Sequence, residues 1–168
     1  MPFTAPFTAP ADLRIGHVHL RVADLDRAIA FYRDVMGLQV MQRYGAQAAF
    51  LSAGGYHHHI GLNTWDSLGA PPAPQNRPGL YHVAFLYPDR AALARAFAQV
   101  VAAGVAIQGA ADHGVSEAVY FADPDGNGIE IYWDRAPQDW PRDAHGMIAM
   151  KNAALDLAAL LSEAQLGN

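Results

Sequence analysis

Eight histidines stand in a chain that has no cysteine and one lysine, Lys151. That inventory removes thiolate nucleophiles, CxxC redox pairs, thiolate metal sites and disulfides, and it leaves imidazole as the main chemical resource. Two of the histidines open matching stretches: Gly16-His17-Val18-His19-Leu20-Arg21-Val22-Ala23-Asp24 and Tyr81-His82-Val83-Ala84-Phe85-Leu86-Tyr87-Pro88-Asp89. In both, Val follows the His and an Asp stands seven residues after it. A third donor, Glu130, sits in the apolar run Ile129-Glu130-Ile131-Tyr132-Trp133, where a buried carboxylate needs a charge partner or a cation. Two imidazoles and a carboxylate leave coordination positions open, the facial set that suits Fe(II) and dioxygen. A lone strand histidine is most often a surface or core residue with one hydrogen bond, but repetition singles out this pair. His17, His82 and Glu130 are therefore the expected metal ligands. His19 competes on period-two geometry, yet Ala84 stands opposite it in the second copy.

Further groups offer acid, base or donor chemistry: the run His57-His58-His59, His113 in Asp112-His113-Gly114, and Tyr120. Their plain alternatives are a strand end and a core aromatic. Asp123-Pro124-Asp125-Gly126-Asn127-Gly128 with Asp134 has the spacing of a calcium loop. Its flanks read as strands, so a tight hairpin presenting Glu130 is the better reading. No G-x-S-x-G, G-x-G-x-x-G or P-loop pattern occurs.

The elements that position these groups repeat with them. Each copy begins with a strand and an Asp at a helix N-cap, followed by an amphipathic helix that ends at Gly37 or Gly104. Strands are then predicted over Leu38–Tyr44, Ala48–Ser52 and Tyr56–Thr64, and over Val105–Ala110, Ala118–Ala122 and Ile129–Trp133. The fold class is α+β: two βαβββ repeats forming one curved mixed sheet around a metal-binding cleft, plus a C-terminal helix over Met147–Ala164. Residues 1–12, with the repeat PFTAPFTAP, read as a flexible arm. Repeat one spans 13–65, a linker with four of the eleven prolines spans 66–79, repeat two spans 80–135, and 136–168 is a C-terminal extension. The linker and the aromatic residues Trp65, Tyr132 and Trp133 are expected to wall a pocket.

Apolar residues form 52% of the 168 and charged ones 16%, which permits a sizeable core in one domain. A net charge of −5 with 11 Lys plus Arg offers no basic face, so nucleic acid is not expected as a partner. No stretch reads as ~20 apolar residues, so no membrane span is expected. With no signal-peptide pattern and no cysteine, a cytoplasmic protein is expected.

IGHVHLRVADLDRAIAFYRDVMGLQV and YFADPDGNGIEIYWDR resemble the opening and closing motifs of the vicinal oxygen chelate superfamily, which includes glyoxalases, bleomycin-resistance proteins and extradiol dioxygenases. The resemblance covers about residues 13–135, and DHGVSEAVYFADPDGNGIEIYWDRAPQDW is most similar to single-domain catechol 2,3-dioxygenases. It implies metal ligation by His17, His82 and Glu130, with His58, His113 and Tyr120 catalytic; His57 or His59 replaces His58 if the strand register differs by one. Fe(II) is the first choice of cofactor, with Mn(II), Zn(II) or Ni(II) as alternatives. The implied partners are a small aromatic substrate and dioxygen, and a second copy of the chain in a homodimer. A catechol would chelate the metal and be cleaved beside the diol to a muconic semialdehyde type product. The rivals on this scaffold are a lyase, isomerase or thiol transferase with a fourth ligand in the first repeat, where the strand offers His59 or Ile60, and a non-catalytic binder of aromatic compounds.

Overall fold

The computed structural model describes residues 7–74 and 76–166. Residues 1–6 of the expected arm lie outside the described residues, and residues 7–10 are exposed coil. The first repeat runs β1 (Val18–Arg21), α1 (Leu25–Ala30), a π-helical turn (Phe31–Val35), β2 (Gln39–Tyr44), β3 (Ala48–Ser52) and β4 (Ile60–Asn63). The second runs β5 (Val83–Leu86), α2 (Arg90–Ala102), β6 (Gly109–Asp112), β7 (Ser116–Ala122) and β8 (Gly128–Asp134). A 3₁₀ turn (Pro137–Asp139) and α3 (Leu157–Leu166) follow.

The caps explain why both helices start and stop where they do. Asp24 accepts a hydrogen bond from the Arg27 amide at 3.0 Å, and Asp89 accepts one from the Ala92 amide at 2.7 Å. Gly37 and Gly104 both take φ +72°, the left-handed conformation that glycine adopts without penalty. Hydrogen bonding gives two four-stranded sheets, one per repeat, ordered β1-β4-β3-β2 and β5-β8-β7-β6. In each, the first and last strands are parallel and the others antiparallel.

Alternation along the strands divides the sheets into a core face and an open face. Leu20, Val22, Leu51, Ile60 and Leu62 pack with Leu25, Ile29 and Tyr32, while Phe121, Ile129 and Ile131 pack with Leu93, Phe97 and Val100. Burial of each such side chain is worth roughly 1.5–3 kcal/mol, and the two sets merge into one cluster. Polar links join the repeats as well: the buried Tyr32 hydroxyl donates to Asp123 at 3.1 Å, and Arg27 pairs with Asp125 at 2.6 Å.

Several boundaries differ from expectation. The Tyr56–Thr64 strand shrinks to Ile60–Asn63 because Gly54 and Gly55, at φ +65° and +77°, turn the chain just before it. The Val105–Ala110 strand moves to Gly109–Asp112. The C-terminal helix starts at Leu157 rather than Met147: Asp156 caps it by accepting from the Ala159 amide at 2.9 Å. Upstream, the chain is extended and makes isolated bridges, Arg142 with Ile148 and Asp112 with Ala153.

Candidate metal and substrate site

Glu130 lies on β8, in register with Ala84 on one side and Tyr120 on the other. Its neighbours Ile129 and Ile131 are fully buried, so alternation aims the carboxylate at the opposite face. There Oε2 stands 2.9 Å from Nε2 of His82, the residue just before β5. Two ligands each about 2.1 Å from one ion at right angles are about 3.0 Å apart, so this pair has the separation of adjacent ligands. The other His82 nitrogen, Nδ1, is buried and has no hydrogen-bond partner among the described residues.

The donors continue along the same face. The Tyr120 hydroxyl is 3.3 Å from Glu130 Oε1 and 2.7 Å from His113 Nε2, and His113 Nδ1 is 3.0 Å from the Lys151 carbonyl. Desolvation, and after it the Glu130 charge and hydrogen bond, push the Tyr120 pKa up to about 12. The hydroxyl therefore keeps its proton at neutral pH and acts as a donor.

The first repeat carries its own cluster. His17 precedes β1 as His82 precedes β5, and its ring stacks on His58 with centroids 4.3 Å apart. His58 also packs on Phe50 at 5.0 Å. His59 turns away, with Nδ1 2.9 Å from the Ser52 hydroxyl, and His57 stacks on Tyr56 at 4.1 Å. Of the three-histidine run, His58 is thus the member stacked on His17. Its imidazole is held below the usual range by desolvation and then by the neighbouring His17. The structure brings His82, Glu130, Tyr120 and His113 together, and His17 with His58. It does not bring the two sets together: among the described residues no three His, Cys, Asp or Glu side chains gather as a metal-binding group.

A cavity of about 1030 Å³ opens beside His82 and Tyr120, bounded by His19, Arg21 and the prolines of the linker. The linker thus walls a pocket as expected. Trp65, Tyr132 and Trp133 are not among its lining residues; Trp65 packs on His19 at 5.6 Å, and the Arg135 guanidinium lies over Trp133.

Two features escaped the sequence reading. One is an ion network behind the site: buried Glu117 pairs with Arg90 at 2.6 Å and Arg135 at 2.8 Å, Arg135 also holds Asp112 at 2.9 Å, and Arg90 reaches Glu163 of α3. The charges are scattered along the chain, and only the register of β6, β7 and α2 assembles them. The other is Gly61, which holds the position in the first repeat that corresponds to Glu130, since β4 sets Gly61 opposite His19 as β8 sets Glu130 opposite Ala84.

Residues 14–131 match the family model described as Glyoxalase/Bleomycin resistance protein/Dioxygenase superfamily. The chain is 41% identical over 154 residues to a catechol-2,3-dioxygenase of Bacillus subtilis (strain 168), covering 91% of this chain and 53% of that protein. It therefore spans about half the length of that relative. Similarity extends to a biphenyl-2,3-diol 1,2-dioxygenase 3 of Rhodococcus globerulus, at 30% identity, 79% of this chain and 70% of the relative. A manganese-dependent 2,3-dihydroxybiphenyl 1,2-dioxygenase of Geobacillus genomosp. 3 is 27% identical, over 72% of this chain and 36% of its own. Among solved structures, a glyoxalase/dioxygenase from Nostoc punctiforme superposes with a TM-score of 0.62 at 25% identity, covering 79% of this chain and 99% of its own.

Proposed function

The chain belongs to the Glyoxalase/Bleomycin resistance protein/Dioxygenase superfamily, and on that footing we propose that it is a metal-dependent extradiol dioxygenase acting on a catechol-type ring. The observation that carries this reading is the continuous row His82, Glu130, Tyr120, His113 on one sheet face, with two donors at ligand spacing and two that hold or move a proton. His82, Glu130 and His17 would hold the ion, Fe(II) first, with Mn(II), Zn(II) or Ni(II) as other occupants of the same donors. When bound, the metal would act as a Lewis acid toward the diol oxygens and would carry electrons from the ring to dioxygen.

The protein's own groups do the remaining work. Tyr120 keeps its proton, directed at His113 in the resting site, and would turn it to the substrate oxygen that takes on charge, while His113 can accept or return a proton. His58 is neutral near pH 7 and serves as the base toward the diol. The linker beside His82 forms one wall of the cavity and sets its width.

Because His17 and His58 do not meet the His82–Glu130 pair within one chain, the unit we propose is a homodimer in which a second copy would bring them to it, each site being shared between chains. Both half-sites are flanked by exposed apolar residues that such a contact would cover: Leu13 and Ile15 before β1, Leu80 and Tyr81 before β5. β1 and β5 are also edge strands of their sheets. Residue usage without cysteine suits the cytoplasm, where we assign the protein.

Gly61 weighs against the lyase, isomerase or transferase rival, because the strand register puts Gly61, and not His59 or Ile60, at the first-repeat counterpart of Glu130, where it offers no side chain for a fourth ligand. A sequestering role would not need the His82–Glu130 pair. The reading is tested by oxygen uptake: Fe(II)-loaded protein should consume oxygen with catechol and give a yellow product. Turnover of methylglyoxal with glutathione, and no uptake on any catechol, would transfer the protein to the glyoxalase side.

A further inference from the structure

The chain between Trp140 and Leu157 makes no sheet of its own, yet its backbone is tied to the edge of β6. Asp112 N–H donates to the Ala153 carbonyl at 2.9 Å, Ala153 N–H donates to Asp112 O at 3.0 Å, and Lys151 N–H donates to the His113 carbonyl at 3.0 Å. Gly114, at φ +80°, leaves no room above the turn: a Cβ there would lie 2.9 Å from Pro141 Cγ. The segment is therefore a strap seated against the His113 turn. It lies beyond residue 131, where the family match ends.

We propose that this strap is a positioning device for the site, its Lys151 carbonyl fixing His113 in the Nδ1–H tautomer and thereby assigning the direction of the His113–Tyr120 hydrogen bond. The contact with the carbonyl is 3.0 Å. A carbonyl oxygen only accepts, so Nδ1 must carry the proton and the neutral ring presents a lone pair at Nε2. The Tyr120 hydroxyl has a single proton and stands 2.7 Å from that lone pair, against 3.3 Å from Glu130 Oε1. It donates to His113. The 3.3 Å contact with Glu130 is then the weaker branch, and the carboxylate stays available to a cation. In the opposite tautomer, Nε2–H would donate to the Tyr120 oxygen and turn the phenol proton onto the carboxylate.

The Lys151 side chain takes no part in this. Its ammonium lies 3.7 Å from Asp112 and is more than half exposed, a contact worth little. Residue type at 151 is thus free so long as the main chain stays in register. The inference goes beyond the dioxygenase reading and survives its failure, because a tautomer is read without turnover.

The test is the ¹⁵N chemical shift pattern of the His113 ring in the full chain, with and without Zn(II), His113 being assigned by comparison with His113→Gln. Wild type and Lys151→Ala should both show a nearly pure Nδ1–H tautomer. Ala153→Pro removes the Ala153 N–H bond to Asp112, and should convert His113 to a mixture of tautomers while the other histidine signals stay in place. If Ala153→Pro does not fold, one glycine inserted between Met150 and Lys151 moves the carbonyl out of register and should give the same mixture. An Nε2–H tautomer in wild type, or an unchanged Nδ1–H tautomer in the folded strap variant, would overturn the proposal.

Discussion

Gly61 and Glu130 occupy the same register position of the two repeats, and the His19 ring lies where a side chain at Gly61 would stand, 2.8 Å from the nearest ring atom. Phe50 and Tyr120 correspond in the same way, each one strand further in. One repeat has therefore kept the donor row and the other an aromatic floor under a histidine cluster. The proposed site would therefore be asymmetric, with the carboxylate and hydroxyl from the second repeat and a further imidazole from the first.

The ligand assignment predicts that His17→Ala, His82→Ala and Glu130→Ala each lose stoichiometric metal, measured by elemental analysis of anaerobically loaded protein. His19→Ala should keep it. Full metal in His17→Ala with loss in His19→Ala would reverse the choice between His17 and His19.

A shared site predicts complementation between chains. His17→Ala and Glu130→Ala are each inactive alone, but a mixed dimer holds one site with His17, His82 and Glu130 all intact. Refolding the two variants together at equal amounts should restore about a quarter of wild-type turnover from random pairing. No recovery in a confirmed mixed dimer would place all three ligands on one chain.

His113→Ala and Tyr120→Phe should retain metal and lower turnover by about 10-fold or more each, as expected when a general acid–base group or oriented donor is removed. Metal content and steady-state kinetics on the same preparations check this. Unchanged kinetics in both variants would reduce the pair to packing.

The histidine cluster also sets a pH dependence of stability. Burial first, and then the nearby His17, hold His58 and His19 below the ordinary imidazole value of 6.5. The unfolded chain protonates these rings near pH 6.5, so below that value it binds more protons than the folded chain. Stability is full above pH 6.5 and falls as pH drops through the lowered folded values. The Tm should stay level from pH 8 to about pH 6.5 and decline below it, and His58→Asn should flatten the decline. Parallel curves for wild type and variant would remove His58 from this role.

Local signals carried the repeat, because a capping Asp and a terminal Gly act within one turn of the residues they control, and both pairs recur in the structure. His82 and Glu130 were legible for a related reason, as a strand histidine repeated and a carboxylate out of place among Ile129, Ile131 and Tyr132. What stayed hidden depends on register or on backbone atoms. Gly61 matters only through the strand it pairs with. The strap acts through a carbonyl that every residue type carries, so no side chain at position 151 announces it. The helix expected from Met147 fails where backbone groups find partners on β6 rather than within a helical turn.

The central claim is oxidative ring opening at the His82–Glu130 row, and labelled oxygen tests it most directly. With ¹⁸O₂ and catechol, the Fe(II)-loaded protein should give a ring-opened product carrying both oxygen atoms of one dioxygen molecule, and the Glu130→Ala variant should give none. A product formed from catechol without label from ¹⁸O₂, or in equal yield by Glu130→Ala, would contradict the account.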